Sequence, residues 1–467
     1  GSEMCIRDRI RGEIYMQTNI FVDKKERTGK PHELFGIWMA TQIGILGLIY
    51  GAIIVSYELS FIQSILAAFV GALSFILVGY LSLSGKIGGT TMFNLSRAVF
   101  GVHGNYIPTL CGWINLVGWM CVNVVTATLT LLTLLGILGI NTNTFTTIIA
   151  LIILAILIAI SGFLSQESLV KLQSFFTYVF GLMTLIVLGF LLLKTNWDLL
   201  FALPSGNWIS GFLPAVSIII AGTGISWAIA AADYSVYQDP KNSDFAIILS
   251  TTLAGFIPLF ILMSMGILMT STVPDYLSVP NPIDVIGSQL PTWMTIPYLI
   301  TALVGLVAPS VISLRSARVN LSTLNIKVNN FTAISIHVII MLALGIYVLF
   351  ISDSFLSIFQ SFLGLIGIAL AGWSAVFLTD FVLFRKKFGY PEKLLTGENN
   401  FNLYNYTGIF SWFLGVFLGF LFTNCVFFDG PFANGIFYNN SLGMLITFIS
   451  SGIFYIILSK IFNSEAI

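Results

Sequence analysis

Trp119 and Asn123 stand four residues apart in Gly118-Trp119-Met120-Cys121-Val122-Asn123, a spacing that puts both side chains on one face of a helix. A flat indole beside an amide suits a planar, nitrogen-rich ring, which would stack on the one and exchange donor and acceptor with the other. The same residues also fit a Trp packed in a helix bundle with an Asn hydrogen-bonded between helices, and the residues alone leave both readings open. Trp227 follows Gly222-Thr223-Gly224-Ile225-Ser226 and offers a second aromatic plane, so two indoles could sandwich a ring. Gly224 and Ser226 beside it, and Gln42 in Ala40-Thr41-Gln42-Ile43-Gly44, are the polar and small positions expected to line such a site. Glycine costs about 1 kcal/mol in a helix interior relative to Ala. Both segments are therefore predicted breaks, near Gln42–Gly44 and Gly222–Gly224, where freed backbone groups meet a ligand; the alternative is close helix packing through small residues.

Ionisable residues are scarce among these apolar stretches. Asp233, six residues past Trp227, and Asp380, shortly before Arg385, are read together with Arg97 as structural or gate contacts on the cytoplasmic side. His103 and His337 lack a second ligand at metal spacing, so no metal site is expected. The four cysteines show no paired metal spacing either.

The elements that must position these residues are membrane-spanning helices. Of the 467 residues 57% are apolar and 9% charged, with mean hydropathy +0.95, and so little charge cannot cover a water-facing surface. Apolar windows of about 20 residues, each long enough to cross a bilayer, are predicted at 35–56, 61–83, 109–137, 143–163, 169–193, 212–232, 244–270, 294–320, 332–351, 356–384, 405–427 and 436–460. The chain is thus an all-α polytopic membrane protein of about twelve spans. With the N-terminus inside, sixteen Lys and Arg fall in inner segments and only Lys194 in an outer loop. That asymmetry predicts a multi-pass plasma-membrane protein with both termini cytoplasmic.

Residues 1–15, which include Met4-Cys5-Ile6-Arg7-Asp8-Arg9, resemble translated adapter sequence and are read as foreign to the natural chain. No signal peptide is predicted. The absence of a Gly-rich phosphate loop argues against ATP energisation, and Lys+Arg balance Asp+Glu at 20 each with no basic run for nucleic acid. No obligate protein partner is indicated. A secondary transporter, not an enzyme, is the reading that remains, with a lipid bilayer around it and no cofactor beyond a coupling ion, H+ or Na+.

Three motifs occur in order. They are Met92-Phe93-Asn94-Leu95-Ser96-Arg97-Ala98-Val99-Phe100-Gly101 leading to Gly118-Trp119 and Asn123; Trp227 through Ala232-Asp233-Tyr234-Ser235 and Tyr237; and Gly372-Trp373 with Leu378-Thr379-Asp380-Phe381-Val382-Leu383. Together they resemble the nucleobase–cation symporter family of purine, cytosine, allantoin and hydantoin permeases. The resemblance implies a leucine-transporter-type fold. Residues 1–34 would be a leader, 35–193 and 194–393 two inverted five-helix repeats, and 394–467 two peripheral helices. It implies import of a small heterocycle held between Trp119 and Trp227, with Asn123 and an eighth-span residue, Ser313, beside it.

The family's eighth span often carries Asn-x-x-x-Asn-x-Tyr-Ser, where this chain has Pro309, Ser313 and Arg315. Sodium-coupled relatives hold the ion between first-span carbonyls, here Ala40 and Ile43, and eighth-span hydroxyls. The matching Val307 and Ala308 have none, and Ser310 is the nearest hydroxyl. The expectation is therefore weak sodium dependence with a proton as competitor. Two alternatives stay open: a carrier of the same fold for a non-ring solute such as an amino acid or vitamin-like compound, and a non-transporting or channel-like membrane protein.

Overall fold

The computed structural model describes residues 20–273, 278, 281–352 and 354–462; the expected foreign stretch 1–15 lies outside them. Its helices are α1 (Pro31–Gln42), α2 (Leu46–Val55), α3 (Phe61–Gly88), α4 (Met92–Phe100), α5 (Tyr106–Ile137), α6 (Thr144–Ser161), α7 (Gln166–Lys194) and α8 (Trp208–Ala228). They continue with α9 (Ala231–Ser235), α10 (Asp244–Met269), α11 (Pro282–Ser288), α12 (Thr292–Thr323), α13 (Asn330–Ile351), α14 (Phe355–Phe388), α15 (Tyr406–Leu421) and α16 (Leu442–Phe462). Among the described residues ten helices are long and apolar enough to cross a membrane, and the bent pair α1–α2 makes an eleventh. α15, 16 residues long, stands where the eleventh span was predicted. It stops at Leu421, short of the predicted 427, because Asn424–Cys425 and Phe428–Asp429 pair as a hairpin whose apolar residues mimic helix in the sequence.

Burial sorts the helices. In α8 and α14, 72% of the most apolar stretch is buried in the protein, against 22% in α13 and 28% in α7. A helix apolar all round and buried belongs inside the bundle, whereas an equally apolar one left exposed faces lipid. α5 and α12 join the inner group, so Trp119, Asn123 and Trp227 all ride on inner elements.

Two features set the frame around them. The first span is broken as predicted: α1 ends at Gln42, α2 starts at Leu46, and their axes differ by 63°. The sixth does not break at Gly222–Gly224. There Ala221–Ile225 is a π-turn continuous with its helix, and helical geometry lapses only at Ile229–Ala230, before α9.

The stretch ahead of α1 crosses one end of the bundle. Gly29 N–H donates to the Tyr237 carbonyl at 2.8 Å and Asp239 N–H to the Gly29 carbonyl at 3.0 Å. Arg27 Nε donates to the Val236 carbonyl at 3.0 Å, and its Nη2 to the Lys86 carbonyl. The opposite end holds a cavity of about 810 Å³ whose lining includes Thr133, Asn281, Asp284 and Thr292.

Candidate substrate site

Three residues of α5 set its register against α8. Asn115, Trp119 and Asn123 repeat every four positions and so form one stripe. Asn115 Nδ2 donates to the Ser226 carbonyl at 3.0 Å. One turn on, the Trp119 ring lies 6.3 Å from the Trp227 ring, 24° from parallel. Asn123 follows, 1% exposed, with no partner for its Nδ2.

Ser226 has a carbonyl to offer because Ala230 N–H, four residues on, donates instead to the Trp227 carbonyl at 3.0 Å where α8 ends. The Ser226 hydroxyl donates to the Ala221 carbonyl, five residues back, at 2.6 Å, and π-turns interrupt the i→i−4 ladder. Ser226 is thereby tied to Asn115 and to its own helix. Gly224 is spent on packing as well: its N–H reaches Ser74 Oγ at 3.2 Å, and a Cβ there would stand 2.5 Å from the Ser74 carbonyl oxygen. A Cβ on Gly222 would stand 2.1 Å from Tyr50 Oη. At these glycines the close-packing reading holds.

The two indoles have further company. Trp38, at the end of the first half-span, meets Trp227 edge-on at 5.8 Å and Tyr234 at 5.8 Å. Phe359 meets Trp119 edge-on at 5.8 Å and lies 5.8 Å from Tyr50. Sequence reasoning missed Trp38, Tyr50, Phe359 and Asn115. Trp38 was within reach of it, being four residues before Gln42, and Asn115 likewise, four before Trp119.

Several buried polar atoms without partners lie on these rings or within one helical turn of them along the chain. They include Gln42 Nε2, Asn123 Nδ2, Trp38 Nε1, Trp119 Nε1 and Tyr50 Oη. Ser313 Oγ, also unpartnered, follows Ile312, whose carbonyl accepts from Tyr234 Oη at 2.8 Å. A buried polar group left unsatisfied costs about 1–3 kcal/mol, and native interiors keep few of them. Trp119 Nε1, on one of the paired indoles, and the Asn123 amide one turn away are donors that a polar ligand held there would satisfy. A ring between two faces needs about 3.5 Å on each side. With their centroids 6.3 Å apart, the indoles must part until their faces stand about 7 Å from each other to admit one.

The residues expected at the gate sit elsewhere. Asp233, past the end of α8, accepts from Met92 N–H at 2.8 Å and leaves its other oxygen unpartnered. Burial pushes its carboxyl up, to about 6, against the pull of Met92, Ser316 and Arg315. Arg315 donates to Tyr237 Oη at 3.0 Å. Asp380 pairs with Arg385 at 3.1 Å and accepts from Tyr455 Oη at 2.8 Å. Arg97 donates to the carbonyls of Leu395 and Thr323 at 3.2 and 3.1 Å, tying α4 to the end of α12.

The donor set expected for a cation is thin. Ile43 N–H donates to Met39 O and Gly44 N–H to Gln42 O, while Gly47 N–H takes Gly44 O. The Ala40 and Ile43 carbonyls thus lack the amide four residues on. On α12 the Ser310 hydroxyl donates to the Leu306 carbonyl at 2.9 Å and keeps its oxygen lone pairs, which brings the expected oxygens to three. Sodium, a hard cation, wants about six oxygens, and these residues do not supply them.

Known proteins resemble the chain along nearly its whole length. The profile of a family described as permeases for cytosine/purines, uracil, thiamine and allantoin matches residues 21–449. YxlA of Bacillus subtilis (strain 168), provisionally named a purine-cytosine permease, is 24% identical over 468 residues, covering 96% of each chain. Among solved structures, Mhp1, a nucleobase-cation-symport-1 family transporter, matches in a closed conformation with bromovinylhydantoin bound. The TM-score is 0.75 at 16% identity, over 95% of each chain. Its inward-facing conformation matches at 0.70 and 16% identity, over 97% of this chain and 95% of that one. A Na+-coupled sialic acid symporter, substrate-bound and outward-open, matches at 0.55 and 13% identity, over 92% and 95%. The fold is therefore that of these carriers, the leucine-transporter type.

Proposed function

The chain belongs to the family of permeases for cytosine/purines, uracil, thiamine and allantoin, a family of transporters and not of enzymes, and from that premise we propose that it carries a planar nitrogen heterocycle through the membrane, stacked between Trp119 and Trp227. The observation that carries the proposal is the pair of near-parallel indoles 6.3 Å apart, with the unpartnered Asn123 amide one turn beyond the first. Stacking contributes about 1–3 kcal/mol per aromatic face in single-stranded nucleic-acid sites, and a rigid ring loses little freedom on binding. Asn123 and Gln42 then select the ring by its edge. With Pro309 and Ser313 in place of amides, selection leans on the first, third and sixth spans.

Transport proceeds by alternating access coupled to a cation gradient, with the termini cytoplasmic and the helices grouped as 35–193, 194–393 and 394–467. Residues 27–30, which lie across 236–239 at the end where Lys and Arg gather, part from them when that end opens. Import into proteoliposomes, screened over cytosine, uracil, hypoxanthine, allantoin and hydantoin, tests the reading. The expected result is saturable uptake of at least one ring, paralleled by quenching of tryptophan fluorescence. Uptake of an amino acid with no response to any ring would replace it.

A further inference from the structure

Asp233 follows the lapse in the sixth span at Ile229–Ala230 and is 6% exposed. One carboxylate oxygen accepts from Met92 N–H, at the head of α4, at 2.8 Å; the other is buried without a partner. Holding α4 takes one oxygen, and an amide would serve as well. The second oxygen has no such task, and a buried negative charge is costly unless a cation or several donors meet it. Of the cations on the surrounding elements, Lys86 of α3 pairs with Asp244. Arg97 of α4 and Arg27 of the leading stretch donate to backbone carbonyls, and Arg318 of α12 donates to Asn330. Arg315 of α12 is the cation whose charge Asp233 feels. Its Nη2 donates to Tyr237 Oη at 3.0 Å instead, and its Nη1 is buried without a partner. Among the described residues Asp233 and Arg315 form no ion pair. The other titratable neighbours are Tyr234 and Tyr237 on either side of Ser235, Glu33 of α1 beside Gly29, and the exposed His32.

We propose that Asp233 is the proton site that couples this carrier: neutral while residues 27–30 lie across 236–239, and charged once that end opens and Arg315 turns to it from Tyr237. The proposal rests on the transporter reading above and names its coupling ion. Tyr234, next in the chain, connects the carboxyl to the ring site. It meets Trp38 edge-on at 5.8 Å, and Trp38 meets Trp227 in the same way. Its hydroxyl donates to the Ile312 carbonyl at 2.8 Å and lies 3.3 Å from Ser316 Oγ, and Ser316 in turn bears on Asp233. Two hydroxyls thus lead from the aromatic cluster to the carboxyl, each able to take up one proton and pass on another. When the cytoplasmic end opens, the carboxyl gives its proton to water and the carboxylate accepts from Arg315 Nη1. Burial holds the carboxyl near about 6 in the closed form, whereas an open, hydrated Asp titrates near about 3.9. The closed form is therefore favoured at low pH and loses that advantage as pH rises through about 6.

The experiment uses the proton as probe, with uracil and hypoxanthine as rings because neither gains or loses a proton between about pH 5 and pH 7. Those two carboxyl values make ring binding about tenfold tighter at about pH 5 than at about pH 7, read by quenching of tryptophan fluorescence. In proteoliposomes without sodium, an acid outer solution should drive the ring inward against its gradient. Asp233→Asn keeps an oxygen for Met92 N–H and cannot titrate. It should bind the ring with a flat pH profile, and should equilibrate the ring without concentrating it. Accumulation by the unaltered protein that ignores the pH gradient and requires sodium overturns the proposal, and this comparison stands even if the variant fails to fold. An Asn variant that still concentrates the ring on a pH gradient overturns it too. Melting reads the proton site without any ring: the midpoint of Asp233→Asn minus that of the unaltered protein should rise from about pH 5 to about pH 7. If no ring quenches and that difference still rises, the ring reading fails and the Asp233 assignment stands. Intact ring binding with a flat difference removes the Asp233 assignment alone.

Discussion

Between Gln42 and Leu46 the first span stops being helical and turns by 63°, whereas the sixth, at Ala221–Ile225, stays helical and widens into a π-turn. Both segments carry Gly, Thr and neighbouring polar groups, and from composition they look alike. Their surroundings differ. A Cβ on Gly44 would meet nothing within 4 Å, while one on Gly222 would collide with Tyr50 Oη. An uncrowded segment is free to bend. A crowded one is clamped on both sides, and absorbs its irregularity along its own axis. The outcomes differ too: the first span frees carbonyls, and the sixth hands one carbonyl to Asn115 and lays Trp227 against Trp119.

The sharpest way to break this comparison is to remove the indole that the sixth span presents. Trp227→Ala should weaken ring binding by about 10-fold or more, about 1.4 kcal/mol, and should lower stability by about 3–5 kcal/mol, the usual cost of emptying a large aromatic position. Trp38→Phe on the first span, which meets Trp227 only by its edge, should leave ring binding within about threefold, under about 0.7 kcal/mol. Fluorescence quenching and thermal melting of both variants check this. If Trp38→Phe binds as poorly as Trp227→Ala, the ligand sits in the first-span break instead.

A second test addresses crowding directly. Gly222→Ala should cost about 1–3 kcal/mol, as overpacked cores do, whereas Gly44→Ala should be neutral or stabilising by about 0.4–1 kcal/mol through the unfolded chain. Tyr50→Phe removes the oxygen that Gly222→Ala strikes, so the double variant should recover part of the loss. Equal damage at both glycines would mean that crowding does not distinguish the two spans.

Much of this was legible in the sequence because lipid demands long apolar windows. The Trp119–Asn123 stripe was legible from its spacing. The sixth-span irregularity was misplaced because Gly222 and Gly224 look like unwinding residues until Tyr50 and Ser74 are set against them, and those contacts join residues more than 140 positions apart. Gln173 was passed over for a similar reason. Next to Lys171 and Ser174 it reads as the polar start of a helix, and only its 3.0 Å bond to Ala308 shows that it points inward. Pairwise contacts between distant helices leave no periodic trace.

The amide tests whether the stripe on α5 binds as well as packs. Asn123→Ala should weaken ring binding by about 10-fold, about 1.4 kcal/mol. It should leave the melting midpoint of the ligand-free protein unchanged or raised, since it removes a buried amide hydrogen-bond donor that has no partner. Loss of stability with unchanged binding would assign Asn123 to packing.

The smallest effect is expected at Trp113, six residues before Trp119 and therefore on another face of α5. Its Nε1 donates to His337 Nε2 at 3.0 Å, and His337 Nδ1 lies 2.7 Å from the Ala333 carbonyl, which ties α5 to α13. Trp113→Phe keeps most of the ring and loses the bond, so it should cost about 0.5–1.5 kcal/mol of stability. Nothing in that loss reaches the paired indoles, and ring binding at equal membrane expression should not change. Trp113 thus separates a tryptophan that holds helices together from tryptophans that hold a ligand. Should Trp113→Phe abolish uptake while Trp119→Ala and Trp227→Ala both transport normally, the near-parallel indoles would be packing alone, and the non-ring solute would take the place of the heterocycle.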